Sequence, residues 1–257
     1  VTWPRDLPAQ LAGLAPTLLG IALLIAILTL VLRGYRVPHP FAPALAVLRG
    51  ALQLAAISLI LSGIISDPLW VGVGLAVMFT AAVATVTRRI GATGRHFTGV
   101  AASMGLGVTV TLLVVFGTGA LEFTPRYVLS FGGIIIGNAM SIATLSGRRF
   151  TEGVTEHWEE VEGWLALGAT PRQSTRELAR RAVYFAMIPS TDQTKTTGLV
   201  TLPGAFVGAI FGGASPLEAG RFQIVVLAGI LCAGSIAAVA LIHLLAPVHQ
   251  RPVPVPG

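Results

Sequence analysis

Seven stretches of apolar residues, each near the length of a membrane span, punctuate the chain: residues 11–32, 47–65, 69–87, 99–119, 127–147, 194–214 and 222–246. A bilayer core of about 30 Å takes roughly 20 helical residues to cross. The pattern predicts an all-α polytopic membrane protein with about seven transmembrane helices. The sixth stretch is the least regular, because it contains Lys195 and the Leu202-Pro203-Gly204 break.

The connection between the fifth and sixth stretches, residues 148–193, is far longer than a usual interhelical loop. Here the pattern turns amphipathic. Thr151 to Ala166 reads as a helix with Trp158, Val161 and Leu165 on one side and Glu152, Glu156, Glu159, Glu160 and Glu162 on the rest. Leu167-Gly168-Ala169-Thr170 breaks it. Thr170-Pro171-Arg172-Gln173 is a helix start, with a threonine cap, a proline at the first position and glutamine as capping-box partner. The next helix carries Arg172, Arg176 and Arg180 at four-residue spacing, with Leu178, Ala182 and Phe185 on another side. Two amphipathic helices thus meet at a small-residue elbow. The pattern fits a docking element for a partner, and equally a helix lying on lipid head groups. The acidic first half argues against simple adhesion to an anionic surface.

Composition agrees with the spans. Of the 257 residues, 54% are hydrophobic and 11% charged, against roughly 25% charged in soluble domains. Mean hydropathy is +0.80. No soluble domain fits the remaining loops, so residues 1–257 read as a single transmembrane domain. Its Pro-rich tail, 247–257, reads as disordered or extended. No basic segment precedes the first apolar run, so a cleaved signal peptide is not expected. The one cysteine, Cys232, excludes an internal disulfide framework.

The net charge of +6 does not mark a nucleic-acid binder, because the arginines are spread over short loops. They report orientation instead. Arg33, Arg36 and Arg49 flank the first loop, and Arg88, Arg89 and Arg95 lie in the third. Arg148, Arg149, Arg172, Arg176, Arg180 and Arg181 lie in the long connection. The opposite loops hold Arg5, Arg126 and Arg221 beside Asp6, Asp67, Glu122 and Glu218. The expected topology has the N-terminus outside and the C-terminus cytoplasmic, with 148–193 as a cytoplasmic segment. The only lysine, Lys195, follows Thr194, so the Gly-Lys-Ser/Thr of a P-loop is missing.

Several motifs in order resemble one family. They are Arg49-Gly-Ala-Leu-Gln53-Leu54, Gly137-Asn138-Ala139-Met140 and Leu167-Gly168-Ala169-Thr170-Pro171. Ile188-Pro-Ser-Thr-Asp192, Lys195-Thr-Thr-Gly-Leu-Val-Thr-Leu-Pro-Gly204 and Phe222-Gln-Ile-Val follow. The chain is similar to FetB/YbbM-type permeases of ABC transporters, a family linked to bacterial iron export that includes plant aluminium-tolerance half-transporters. The resemblance covers most of the chain, but only hydropathy is shared at the termini and in helices 1, 3 and 4. It implies a permease used as a homodimer in the plasma (inner) membrane. ATP and Mg would be bound by a separate ATP-binding subunit, and this chain would bind no cofactor and hydrolyse no ATP. Leu167, Gly168, Ala169, Thr170 and Pro171 would form the elbow that contacts the ATPase. Alternatives remain an ABC permease for an organic or nucleotide-sugar solute, and a non-transporting membrane scaffold or sensor.

Polar side chains in apolar helices are candidates for the transport path. Gln53 lies one turn from Arg49, and an interhelical hydrogen bond would equally explain it. Asn138 and Met140 follow Gly133 and Gly137, whose spacing also fits close helix packing. A hard amide oxygen and a soft thioether together do not define an iron site. Asp192 and Lys195, three apart, can pair as an interfacial anchor or as a gate at the cytoplasmic mouth. Pro203 and Gly204 break the sixth span and free backbone groups that can line a cavity. Gly204, Gly208 and Gly212 form a small-residue ridge. Glu156, His157 and Glu160 read as a solvated face before a cation site, and Cys232 and His243 are too far apart on one helix to share a metal. No spacing of a structural metal site occurs.

Overall fold

The computed structural model describes residues 7–64, 67–91 and 96–252, with side chains at 15–58 and throughout the latter two ranges. Arg5, Asp6, Arg95 and residues 253–257 of the Pro-rich tail lie outside the described residues. Ten helices and no strand occur among the described residues. They are α1 (Leu7–Gly34), α2 (Ala42–Ile64), α3 (Pro68–Arg89), α4 (Phe97–Gly117), α5 (Pro125–Glu156), α6 (Trp158–Ala166), α7 (Pro171–Ser174), α8 (Arg176–Thr196), α9 (Gly204–Phe211) and α10 (Pro216–Leu245). Five are long and apolar enough to cross a membrane: α1 over Ala15–Gly34, α3, α4, α5 and α10. The apolar part of α2 with described side chains, Ala42–Ser58, is shorter. The chain is a multi-pass helical membrane protein.

Residues 1–64 and 65–257 form two compact units. The first is the pair α1 and α2. Two of its hydroxyls are satisfied within their own helices, Thr29 donating to the Ile25 carbonyl and Ser58 to that of Leu54. This removes the cost of an unpaired donor in lipid.

The second unit is built around α10, which packs on α4, α5, α8 and α9, while α3 packs on α5. Three of its long helices begin on the same device, a polar cap followed by proline. Asp67 accepts from the Leu69 N–H, Thr124 from that of Tyr127, and Ser215 forms a capping box with Glu218. Phe131, Met104, Ile135 and Leu241 are fully buried in the shared core. Glycines set the spacing. A Cβ on Gly107 would run into the Ala233 carbonyl oxygen, and one on Gly229 would lie 2.7 Å from the Phe131 ring. One on Gly234 would collide with Ile142, and one on Gly147 would lie 2.7 Å from Ile90. Lipid supplies no hydrophobic drive for helix association, so such close approach is what holds the helices together.

Gly99 beside Leu244 and Gly107 beside Ala233 make α4 and α10 antiparallel. Gly147 lies near both Ile90 and Leu241. The C-terminal ends of α3, α5 and α10 therefore share one end of the unit with the start of α4. Arg88, Arg89, Arg148 and Arg149 lie there too, and we refer to it as the arginine-rich end. At the opposite end Phe116 stacks edge-on against Phe131, and Tyr127 lies against Phe222.

The structure corrects two expectations. The helix expected over 151–166 is split at His157: its first turns extend α5, and the rest is α6. The span expected over 194–214 is not one helix. The chain leaves the arginine-rich end along α8 and turns over Thr197–Pro203. It continues in α9, whose eight residues rise only about 12 Å. Gly198 takes φ +87° in the turn, and Pro203 has no N–H to continue a helix. Lys195 and the residues before it therefore end α8 rather than begin a span.

The glycine spacing yields a direct test. Gly107→Ala puts a methyl group against backbone that cannot rotate away, and is expected to destabilise the unit by about 1–3 kcal/mol. Gly137→Ala, with nothing within 4 Å of its Cβ, is expected to be neutral or slightly stabilising. Thermal unfolding of the two variants in detergent distinguishes them.

Candidate functional site

The elbow expected between the amphipathic helices is present, and its chemistry follows from local sequence. α6 ends in a Schellman arrangement: the Gly168 N–H donates to the Leu165 carbonyl and that of Ala169 to Trp164. The motif needs a left-handed residue, and Gly168 sits at φ +90°. Two residues on, the Thr170 N–H donates to Gln173 Oε1 at 2.8 Å while Thr170 Oγ1 accepts from the Gln173 N–H, with Pro171 at the first helical position. Leu167, Gly168 and Thr170 are exposed, and Ala169 and Pro171 are half-buried. Leu167 is 82% exposed and Trp164 52%, two large apolar side chains on a highly charged surface.

The elbow is tied to the long helices. Thr175, fully buried, donates from Oγ1 to the Ala246 carbonyl at 2.9 Å, linking the α7–α8 junction to the end of α10. Below it Phe150, Val154, Ala182, Ile242 and Ala246 form an apolar cluster shared by α5, α8 and the end of α10. Val248 packs on this cluster, and Arg251 Nη2 donates to the Thr155 carbonyl at 3.2 Å, so residues 247–252 fold over the end of α5. Along α8, Ala182 and Ala186 are buried at four-residue spacing. Ala186 reaches the main core.

The expected path residues do not form one cluster. Asp192 and Lys195 pair, with Nζ donating to Oδ1 at 3.2 Å, and both side chains are exposed. They sit on the last turns of α8, about 25–30 Å of helix from Thr175. The pair was expected at the start of a membrane helix and instead lies on the last turns of α8. Thr196 and Thr197 donate back to the Asp192 and Gln193 carbonyls, and Thr201 pairs with Thr197 across the turn. Pro203 and Gly204 open α9. Asn138 is half-buried and its Nδ2 donates to the Ile134 carbonyl. Met140 packs on the main core. Gly133 meets Met78, whereas Gly137 faces open space, so the two do not share one packing partner. Gln53 is an exposed side chain of the first unit. Among the described residues no group of three or more His, Cys, Asp or Glu side chains could hold a metal ion. Glu156 and Glu160 are exposed, and His157 Nδ1 contacts the Gly153 carbonyl at 3.1 Å.

Three polar groups escaped the sequence reading. Thr175 is indistinguishable there from its neighbours. Thr111 Oγ1 and Gln223 Oε1 are buried without a hydrogen-bond partner. An unpaired buried amide oxygen in a membrane helix is costly, which makes Gln223 a functional candidate. Its signal was a glutamine inside the apolar run of α10.

The family model for UPF0014, described as an uncharacterised protein family, matches residues 16–248. The chain is 38% identical over 206 residues to the UPF0014 membrane protein STAR2 of Oryza sativa subsp. japonica, covering 79% of this chain and 72% of that one. It is 36% identical over 203 residues to Protein ALUMINUM SENSITIVE 3 of Arabidopsis thaliana, covering 77% and 74%. It is 35% identical over 145 residues to the probable iron export permease protein FetB of Escherichia coli (strain K12), covering 56% and 55%. No solved structure matches the chain.

Thr175→Val keeps the side-chain shape and removes the donor to Ala246. The Ala246 carbonyl keeps the Val248 N–H as its donor, so the lost hydrogen bond is expected to cost about 0.5–1.5 kcal/mol. Hydrogen exchange at the first turns of α8 and the last turn of α10 should accelerate together, with Thr175→Ser close to wild type.

Proposed function

The chain belongs to the UPF0014 family of membrane proteins, and from that premise we propose that it is the membrane-spanning permease subunit of an ABC exporter. It works as a homodimer in the plasma membrane with a separate ATP-binding subunit, which holds ATP and Mg. The observation that carries this reading is the elbow. Exposed apolar side chains, Leu167 and Trp164, stand on a rigid, capped turn in a charged surface, which is the character of a protein-docking site.

On this reading the arginine-rich end is cytoplasmic, the N-terminus is outside and the C-terminus inside. Seven crossings follow: α1, α2, α3, α4, α5, the broken pair α8–α9, and α10. Residues 148–193 run from the inner end of α5 through the amphipathic elbow into α8. Movement of the ATPase pushes Leu167–Pro171. The Thr175–Ala246 hydrogen bond and the apolar cluster beneath make α8 move with α5 and α10 as a body. The far end of α8 carries the Asp192–Lys195 pair and the turn into Pro203-Gly204, where a change of helix position would open or close a gate. Asn138, Met140 and Gln53 are the remaining candidates for the path.

Iron as substrate rests on the name of the FetB relative. A reconstituted complex of this permease and its ATP-binding subunit, assayed with a panel of metals and organic solutes, tests it. Ferrous iron is expected to stimulate ATP hydrolysis. Stimulation by an organic anion or nucleotide sugar alone would replace iron with that solute, and failure to bind any ATPase would favour a scaffold or sensor.

Gly168→Trp adds bulk at φ +90° and is expected to lower substrate-stimulated ATP hydrolysis by about tenfold or more. Lys195→Ala and Asp192→Ala are expected to reduce transport while leaving assembly of the complex intact. Unchanged transport in both would make the pair a mere anchor.

A further inference from the structure

At the arginine-rich end, a cavity of about 530 Å³ opens between α7–α8 and the end of α10. Arg172 from α7 and Arg176 and Arg180, one turn apart on α8, line it. None of the three is in an ion pair among the described residues, and no carboxylate lines the cavity. The one acidic residue beside them on α8, Glu177, is held by Arg181 at 3.3 Å. On another side Arg176 and Arg180 also border a smaller cavity of about 280 Å³ with Glu160, Glu177 and Arg181, where charges of both signs mix.

The cavity floor is apolar, formed by Ala179, Val183, Val239 and Ile242. At Val239 and His243 it meets a second cavity of about 600 Å³, which runs between α4 and α10 past Leu106 and Ser235. Positions 235, 239 and 243 are one turn apart, so the apolar trough follows α10 for at least two turns, about 11 Å, away from the arginines. Unpaired guanidinium groups at the mouth and a narrow hydrocarbon trough behind them are complementary to one molecule with an anionic head and an extended apolar tail. A protein partner reaching the elbow would meet the arginines but would have nothing to place in the trough.

We propose that this face is a specific binding site for an anionic phospholipid. Arg172, Arg176 and Arg180 hold the phosphate by charge-assisted hydrogen bonds, and one acyl chain lies along Val239, Ser235 and Leu106. The site rests on this end lying at a membrane surface, and not on the transport reading. A bound lipid would bridge α8 to α10 and α4, beside the Thr175–Ala246 link.

The test uses the full-length permease without any ATPase, so it stands or falls separately from the exporter proposal. Native mass spectrometry in detergent compares dioleoyl-phosphatidylglycerol with dioleoyl-phosphatidylcholine, and inorganic phosphate serves as competitor. Wild type is expected to retain the glycerol lipid by about tenfold or more over the choline lipid. Arg176→Gln with Arg180→Gln should bring the ratio near one, and Arg176→Lys with Arg180→Lys should restore part of it. Val239→Trp, which fills the trough, should lower lipid retention without help from the head group. The proposal is overturned if wild type holds both lipids equally, or if the glutamine pair retains phosphatidylglycerol as wild type does. It is also overturned if millimolar phosphate displaces the lipid while Val239→Trp has no effect, which would make the site one for free phosphate. Should the glutamine pair fail to fold, the lysine pair and Val239→Trp decide.

Discussion

The second unit depends on how closely α10 approaches α4 and α5. In lipid, burying apolar side chains gains little, because the surroundings are equally apolar. Association must come from close packing and internal satisfaction of the backbone. Gly107 against the Ala233 carbonyl, Gly229 under Phe131 and Gly234 under Ile142 give that closeness. Around these contacts Phe131, Ile135, Met104 and Leu241 are shut off from the surroundings. α10 becomes the post against which α4, α5, α8 and α9 are placed, so a displacement of α8 cannot be local.

The arginine-rich end turns this packing into a mechanical link. α8 is polar along one side and would not hold to a membrane helix by hydropathy. It is held by alanines at 182 and 186, by the small cluster around Phe150 and Val154, and by the Thr175 hydrogen bond to Ala246. On the proposed reading these contacts make the elbow and the broken crossing two ends of one lever. The elbow is stiff where it meets a partner, with a Schellman turn on one side and a capping box on the other. The far end is loosened by a glycine turn and a proline. A lipid in the neighbouring trough would load the same lever from its side.

Much of the fold was legible in the pattern of residues. Spans α1, α3, α4, α5 and α10 stand where apolar stretches of sufficient length occur, because length and apolarity alone decide them. The elbow was legible too, since Thr170-Pro171-Arg172-Gln173 specifies its own cap. The course of α8 and α9 was not. Its first half is polar, so hydropathy assigned it to a loop, and its second half is apolar across a turn that only Gly198 and Pro203 betray. For the same reason Lys195 was expected at a helix start and stands at a helix end. Thr175 was invisible for another reason: its importance lies in burial and a distant partner, which one chain of letters does not carry.

The central claim is that the elbow is the point where a partner's movement enters this protein. The single cysteine makes a direct measurement practical, because Cys232→Ser leaves a background in which Leu167→Cys is the only thiol. A short cross-linker with a maleimide at one end and a photoreactive benzophenone at the other is attached to this variant co-expressed with its ATP-binding subunit, and irradiated with and without ATP. A specific cross-link to the ATP-binding subunit, with a yield that changes with ATP, is expected. A cysteine at Leu167 that forms no cross-link, in a complex that assembles and hydrolyses ATP normally, would contradict it.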